Sequence, residues 1–154
     1  MSLIPTLLAP ARVIGNFDAS SKKRVFEQAA LLFEEQLQIS RDLVFEKLFS
    51  RERLGSTGLG QGVAIPHARI AELKEASGAF IRLITPIPFD APDGRPVSLV
   101  FVLLVPEEAN DAHLRLLADL AQMFSDRSFR EQLASATDDP ALYALLNNWQ
   151  ASGA

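Results

Sequence analysis

The sequence predicts an α/β fold in three layers, α/β/α, and three observations carry that expectation. The run from Val97 to Val105 is apolar at every position except Ser98, so both of its faces call for cover, as in a central buried strand. Stretches with apolar residues at helical spacing lie on both sides of it along the chain. Glycine and proline cluster between these stretches, where turns belong. About four strands and about five helices follow, with residues 1–154 read as one domain.

Taken in order, Arg12-Val13-Ile14 reads as a short first strand. Ser20 or Ser21 caps a helix running to about Gln38, with Val25, Phe26, Ala29, Ala30, Phe33 and Leu37 on its inner face. Ser40 caps a second helix that turns Leu43, Val44, Leu48 and Phe49 inward and ends near Arg53. Gly55 suits the position just past that end. A glycine-dense loop precedes a strand from about Val63 to His67, and Ala79 to Leu83 is a further strand. Pro86, Pro88, Pro92, Asp93-Gly94 and Pro96 make a turn-rich connection to the central strand, which Pro106 stops. Asn110 or Asp111 caps a helix presenting Leu114, Leu117, Ala118, Ala121 and Phe124. Ser128 and Glu131 have capping-box spacing for a short helix carrying Phe129 and Leu133. The last helix begins between Thr137 and Pro140, with Leu142, Leu145, Leu146 and Trp149 as its stripe.

Composition narrows the function. At 154 residues and 48% hydrophobic, the chain buries enough surface for its own core. A net charge of −4 argues against nucleic acid and against a polybasic membrane-surface patch. With no cysteine, disulfides, thiolate metal sites and thiol nucleophiles are excluded. The N-terminal MSLIPTLLAPARVI lacks a basic leader region and reads as mature protein. The Val97–Val105 run is too short to span a bilayer, which needs about 20 residues. The expectation is a cytoplasmic domain without membrane insertion.

The chemistry concentrates in LGSTGLGQGVAIPHAR, residues 54–69, where four glycines fall within eight positions. Such a loop offers unobstructed N–H donors, and with Ser56, Thr57 and Gly58 it has the equipment of an anion cradle. It is neither a Walker A loop, which needs Gly-Lys-Ser/Thr, nor a dinucleotide fingerprint, which needs a strand before and a helix after. No nucleotide or other cofactor is implied. His67 follows the loop, and His113 falls in the first turn of a helix, where peptide N–H groups and the helix dipole favour an anion. A lone histidine is more often a packed or surface residue; its placement beside an anion cradle is what raises this pair. Two histidines with Asp111 could hold zinc, but they lack ligand spacing, and no metal is expected. No nucleophile elbow accompanies Ser56 or Thr57. Arg51, closing the second helix, is the cation placed to grip phosphate oxygens. Arg53 and Arg69 are placed less well, with Glu52 an expected ion-pair partner for these arginines.

RERLGSTGLGQGVAIPHAR resembles the active-site segment of the mannitol/fructose-type enzyme IIA family of the bacterial phosphoenolpyruvate-dependent phosphotransferase system. The later FDAPDGRPVSLVFVLLVPEEANDAHLRLL, with the second histidine, extends the likeness from about Leu7 to Leu146. The resemblance implies a mixed sheet. It implies His67 as phosphoryl acceptor at Nε2, fed by a histidine-phosphorylated carrier protein of the HPr/NPr type. His113 is then a phosphoryl ligand and Arg51 the charge stabiliser, both by match to the family's motif. The form of the loop motif and the absence of fused segments resemble the nitrogen-regulatory branch. There, phosphorylation state controls binding to proteins of potassium and nitrogen metabolism. The alternative is an enzyme IIA component of fructose/mannitol-type transport that passes phosphate to a IIB domain.

Overall fold

The computed structural model describes residues 4–108 and 111–150. Its centre is a six-stranded mixed sheet: β1 (Val13–Phe17), β2 (Gly58–Gly60), β3 (Val63–Ala64), β4 (His67–Ile70), β5 (Ser77–Ile87) and β6 (Val97–Pro106). The order is β1-β5-β6-β3-β2, with β4 also pairing with β6. β5 runs antiparallel to β6, whereas β3 and β4 both lie parallel to it and line up along one edge. Six strands replace the four expected from sequence, for two reasons. The glycine loop contributes β2, and the expected strand 63–67 is broken at Ile65-Pro66 and resumes at His67. His67 therefore opens a strand, where the sequence reading had it close one.

Five helices cover the sheet: α1 (Lys22–Leu37), α2 (Arg41–Leu54), α3 (Asp111–Ser125), α4 (Arg127–Ser135) and α5 (Asp139–Asn148). Alternation along the strands divides the core in two. Ala79, Ile81 and Leu83 of β5 with Val100, Val102 and Leu104 of β6 meet α1 and α2. Phe80, Leu99, Phe101, Leu103 and Val105 meet α3, α4 and α5. Phe101 is fully buried and sits edge-on to Phe124, so Phe101→Ala would cost about 3–5 kcal/mol, the range for deleting a core aromatic.

Several local expectations shift. Ser21 and Ser40 cap α1 and α2 through their hydroxyls, as expected. Gly55 follows α2 at φ 161°, which is extended backbone open to any residue, so no left-handed cap is built there. β5 continues through Pro86, because the register slips between Arg82 and Ile87 and relieves the proline of a ladder bond. The α4 cap is Asp126, which accepts the Phe129 N–H; Ser128 lies within the helix. Asp138 caps α5. Asn110, offered as a cap for α3, lies outside the described residues. The phase of α3 is rotated: Leu114 is 64% exposed, and His113, Leu116, Leu120, Met123 and Phe124 face the core. Asp111, Arg115, Asp119 and Gln122 line one stripe of the helix and the buried face lies opposite it, so the polar residues mark a phase that the expected apolar set, reaching to Leu114 and Ala118 at the stripe's edge, did not follow.

Candidate active site

The site is built on the last turn of α2, the loop after it, the start of β4 and the first turn of α3. Arg51 curls back to the helix end, where Nη1 donates to the Gly55 carbonyl at 2.8 Å. Its neighbour Glu52 turns inward and is 9% exposed. One Glu52 oxygen accepts the Thr57 hydroxyl at 2.6 Å; the other accepts the Thr57 N–H at 3.1 Å and Lys22 Nζ at 2.9 Å. Glu52 pairs with Lys22 of α1, then, and not with the arginines that flank it. A buried carboxylate needs such partners, and here they fasten the loop to both helices.

The rest of the loop is held as firmly. Ser56 Oγ donates to the Phe89 carbonyl and accepts the Gly58 N–H at 3.0 Å. A Cβ on Gly58 would stand 2.8 Å from that of Ala91, so glycine serves close packing there. Gln61 and Gly62 both have positive φ, 59° and 81°, the requirement of a tight primed hairpin turn between β2 and β3. Asp93 steadies this turn by accepting the N–H groups of Gln61 and Arg95; those bonds hold its carboxyl below the usual range. The Ser56 hydroxyl, the Thr57 N–H and hydroxyl, and the Gly58 N–H are thus engaged inside the protein. They frame the loop and do not point donors outward.

That frame fixes His67. Ile65 N–H donates to the Thr57 carbonyl at 3.0 Å, and the Ile65 carbonyl receives His67 Nδ1 at 2.9 Å. A carbonyl only accepts, so Nδ1 carries the proton and a neutral ring keeps its lone pair on Nε2. Nε2 makes no hydrogen bond among the described residues. Burial lowers the His67 pKa below the ordinary 6.5 and the Arg51 charge pushes the same way, against the Ile65 bond and Glu52.

His113 lies across from it, ring centroids 6.0 Å apart and planes at 72°. It is 8% exposed, and its Nδ1 has no hydrogen-bond partner among the described residues. Its pKa is also lowered, by burial first, then by His67 and Arg69. Arg69 is exposed and belongs to this setting: β4 alternates, so it shares a sheet face with His67. The structure thus brings His67, His113 and Arg51 into one site, and adds Glu52 as the anchor of the loop. Glu52 was visible in the sequence only as a charge among arginines; nothing local marked it as a buried hub. Among the described residues no group of three or more His, Cys, Asp or Glu side chains could hold a metal ion. None of their helices is long and apolar enough to cross a membrane.

Residues 6–149 match the family described as phosphoenolpyruvate-dependent sugar phosphotransferase system, EIIA 2. The chain belongs to that family. Membership places it among the EIIA-type phosphocarriers, whose phosphotransfer in general runs through phosphohistidine. It is 44% identical over 147 residues to the nitrogen regulatory protein of Pseudomonas aeruginosa, covering 95% of this chain and 96% of that one. A fructose-specific EIIABC component of Bacillus subtilis is 30% identical over 94% of this chain, which spans 23% of that longer protein. Among solved structures, nitrogen regulatory protein IIA-Ntr from Neisseria meningitidis superposes with a TM-score of 0.88 at 52% identity, covering 94% of this chain and 99% of that one. Enzyme IIA-mannitol from Escherichia coli, solved in complex with phosphorylated enzyme IIB-mannitol, shares the fold at a TM-score of 0.76 and 19% identity, with 92% and 98% covered.

Proposed function

We propose that this chain is a cytoplasmic phosphocarrier whose His67 accepts a phosphoryl group on Nε2 from a histidine-phosphorylated carrier protein of the HPr/NPr type. Its phosphorylation state then regulates partner proteins, of potassium or nitrogen metabolism. The observation that carries the reading is the 2.9 Å bond from His67 Nδ1 to the Ile65 carbonyl, which fixes the tautomer and leaves Nε2 as the nucleophile. Burial and Arg51 keep that ring neutral at pH 7.

In the transfer, the Nε2 lone pair forms a bond to phosphorus while the bond from phosphorus to the carrier's ring nitrogen breaks. The bonding electrons return to the carrier's imidazole. Such a step needs positioning and charge stabilisation more than covalent assistance. Arg51, whose charge acts on His67, and the His113 ring, 6.0 Å from that of His67, are the groups placed to supply it. Ser56, Thr57 and Gly58, whose donors are occupied, act by shaping the loop.

Relatives that are themselves nitrogen regulatory proteins support the regulatory branch. The likeness to the fructose-specific component supports a second reading, in which His67 passes its phosphoryl group to a separate IIB domain. One experiment separates them. The protein is incubated with labelled phosphoenolpyruvate, enzyme I and carrier protein, then with a fructose-type or mannitol-type IIB domain. Acid-labile label at His67 that stays on the protein supports regulation; fast stoichiometric discharge to IIB supports transport. Label that survives His67→Ala would remove the site assignment.

A further inference from the structure

Away from the histidines, this acidic protein gathers three arginines around one cavity of about 470 Å³. Arg95, from the connection between β5 and β6, meets Arg127 and Arg130 of α4 there. Gln61, Ser98 and Glu131 complete the polar lining. The cavity sits at the Leu99 end of β6, whereas His67 is in register with Leu103. Four residues of strand, roughly 13 Å, separate the two levels.

The arginines are only partly committed. Arg95 Nη1 donates to the Gln61 side-chain carbonyl at 3.2 Å, and Arg130 Nη1 to the Phe124 carbonyl at 2.8 Å. Arg127 Nε pairs with Glu131 at 3.1 Å, the one ion pair these three make among the described residues. A guanidinium has five N–H donors, so each retains several for a ligand. Three positive charges face the Glu131 carboxylate in the lining and Asp93 beside it, whose oxygens already accept the backbone N–H groups of Gln61 and Arg95.

The geometry points to a binding site for a small phosphate-bearing anion of the diphosphate class. Guanidinium forks match phosphate oxygens in pairs, and the volume falls within the range of small-molecule pockets. A single phosphate would engage one fork; the spread of cations over two chain segments suits a longer, more highly charged group. This site stands apart from phosphoryl transfer at His67 and does not depend on it.

The probe is inorganic pyrophosphate, titrated into the full chain at constant ionic strength by calorimetry and amide chemical shifts. Saturable one-to-one binding is expected, with shifts at Gln61, Gly62, Arg95 to Leu99 and α4. Arg95→Gln and Arg127→Gln should each weaken it by about tenfold, the loss of one charge-assisted contact. Glu131→Gln should strengthen it by removing the opposing charge. Arg127 and Glu131 side chains are 84% and 66% exposed, so these two variants leave the core untouched. His67→Ala should bind as the parent does. Absence of saturable binding, indifference to both arginine substitutions, or loss of binding in His67→Ala would overturn the site. Equal or tighter binding of citrate would overturn its assignment to phosphate.

Discussion

His67 and His113 face each other in one site, yet their surroundings differ in kind. His67 ends a chain of bonds: Glu52 holds Thr57, Thr57 holds Ile65, and Ile65 holds Nδ1. Its tautomer is set by backbone. His113 is the more buried ring by accessible surface, and its Nδ1 meets no partner among the described residues. Packing alone orients it. A nucleophile needs a lone pair fixed in direction, and a ligand for an incoming anion needs an unspent donor. A buried polar atom left unpaired costs about 1–3 kcal/mol.

If that division of labour holds, the two histidines respond unequally to removal. His67→Ala should abolish acid-labile phosphorylation by the carrier protein altogether, because no other ring here has a fixed, free nitrogen. His113→Ala should still be phosphorylated on His67, but about 10²-fold more slowly, the scale for losing one preorganised donor. Single-turnover transfer from the phosphorylated carrier measures both. Equal loss in the two variants would break the distinction.

The fixed half of the site was the more legible in the sequence. Dense glycines, Pro66 and His67 lie within one stretch, and Arg51 precedes it, so local pattern sufficed to place them. The layered fold was legible too, since the apolar Val97–Val105 run demands cover on both faces. What escaped notice depends on distance. Glu52 reaches Lys22 from another helix, and Asp93 steadies the Gln61 turn from the far side of β5. The burial of His113 also escaped, although the polar stripe of Asp111, Arg115, Asp119 and Gln122 turns it inward, because the expected face followed Leu114 and Ala118 at that stripe's edge. The glycine pattern suggests outward N–H donors for an anion, whereas Gly58 makes room for Ala91 and Gly62 shapes a turn.

The anchor can be cut without touching either ring. Thr57→Val keeps the shape and removes the hydroxyl that Glu52 accepts at 2.6 Å. The lost bond to a buried carboxylate should cost about 1.5–3 kcal/mol in denaturant unfolding. Transfer should fall by less than in His113→Ala, since the Thr57 N–H and carbonyl still hold the loop. Thr57→Ser should restore most of the stability. A Thr57→Val protein as stable as the parent would mean that the loop is held by its packing and not by Glu52.

The smallest effect is the most selective. Both rings have pKa values lowered from 6.5, chiefly by burial, but by different second charges: Arg51 for His67, and His67 with Arg69 for His113. Because burial disfavours the imidazolium, the unfolded chain binds more protons than the folded one just below pH 6.5. Stability is therefore complete above pH 6.5 and declines as the pH falls from there through the lowered folded values. Transfer to His67 should likewise be flat above pH 6.5 and fall only in that acidic window, where the nucleophile becomes protonated. Proton-resonance titration of the two rings then tests each half separately. Arg51→Gln should raise the His67 midpoint and, because a more readily protonated His67 repels charge on His113, leave that of His113 unraised; Arg69→Gln should raise the His113 midpoint and leave that of His67 unraised. If either substitution raised both midpoints together, one arginine would govern both rings, and the contrast between a fixed nucleophile and a separately tuned phosphoryl ligand would have to rest on the Ile65 bond alone.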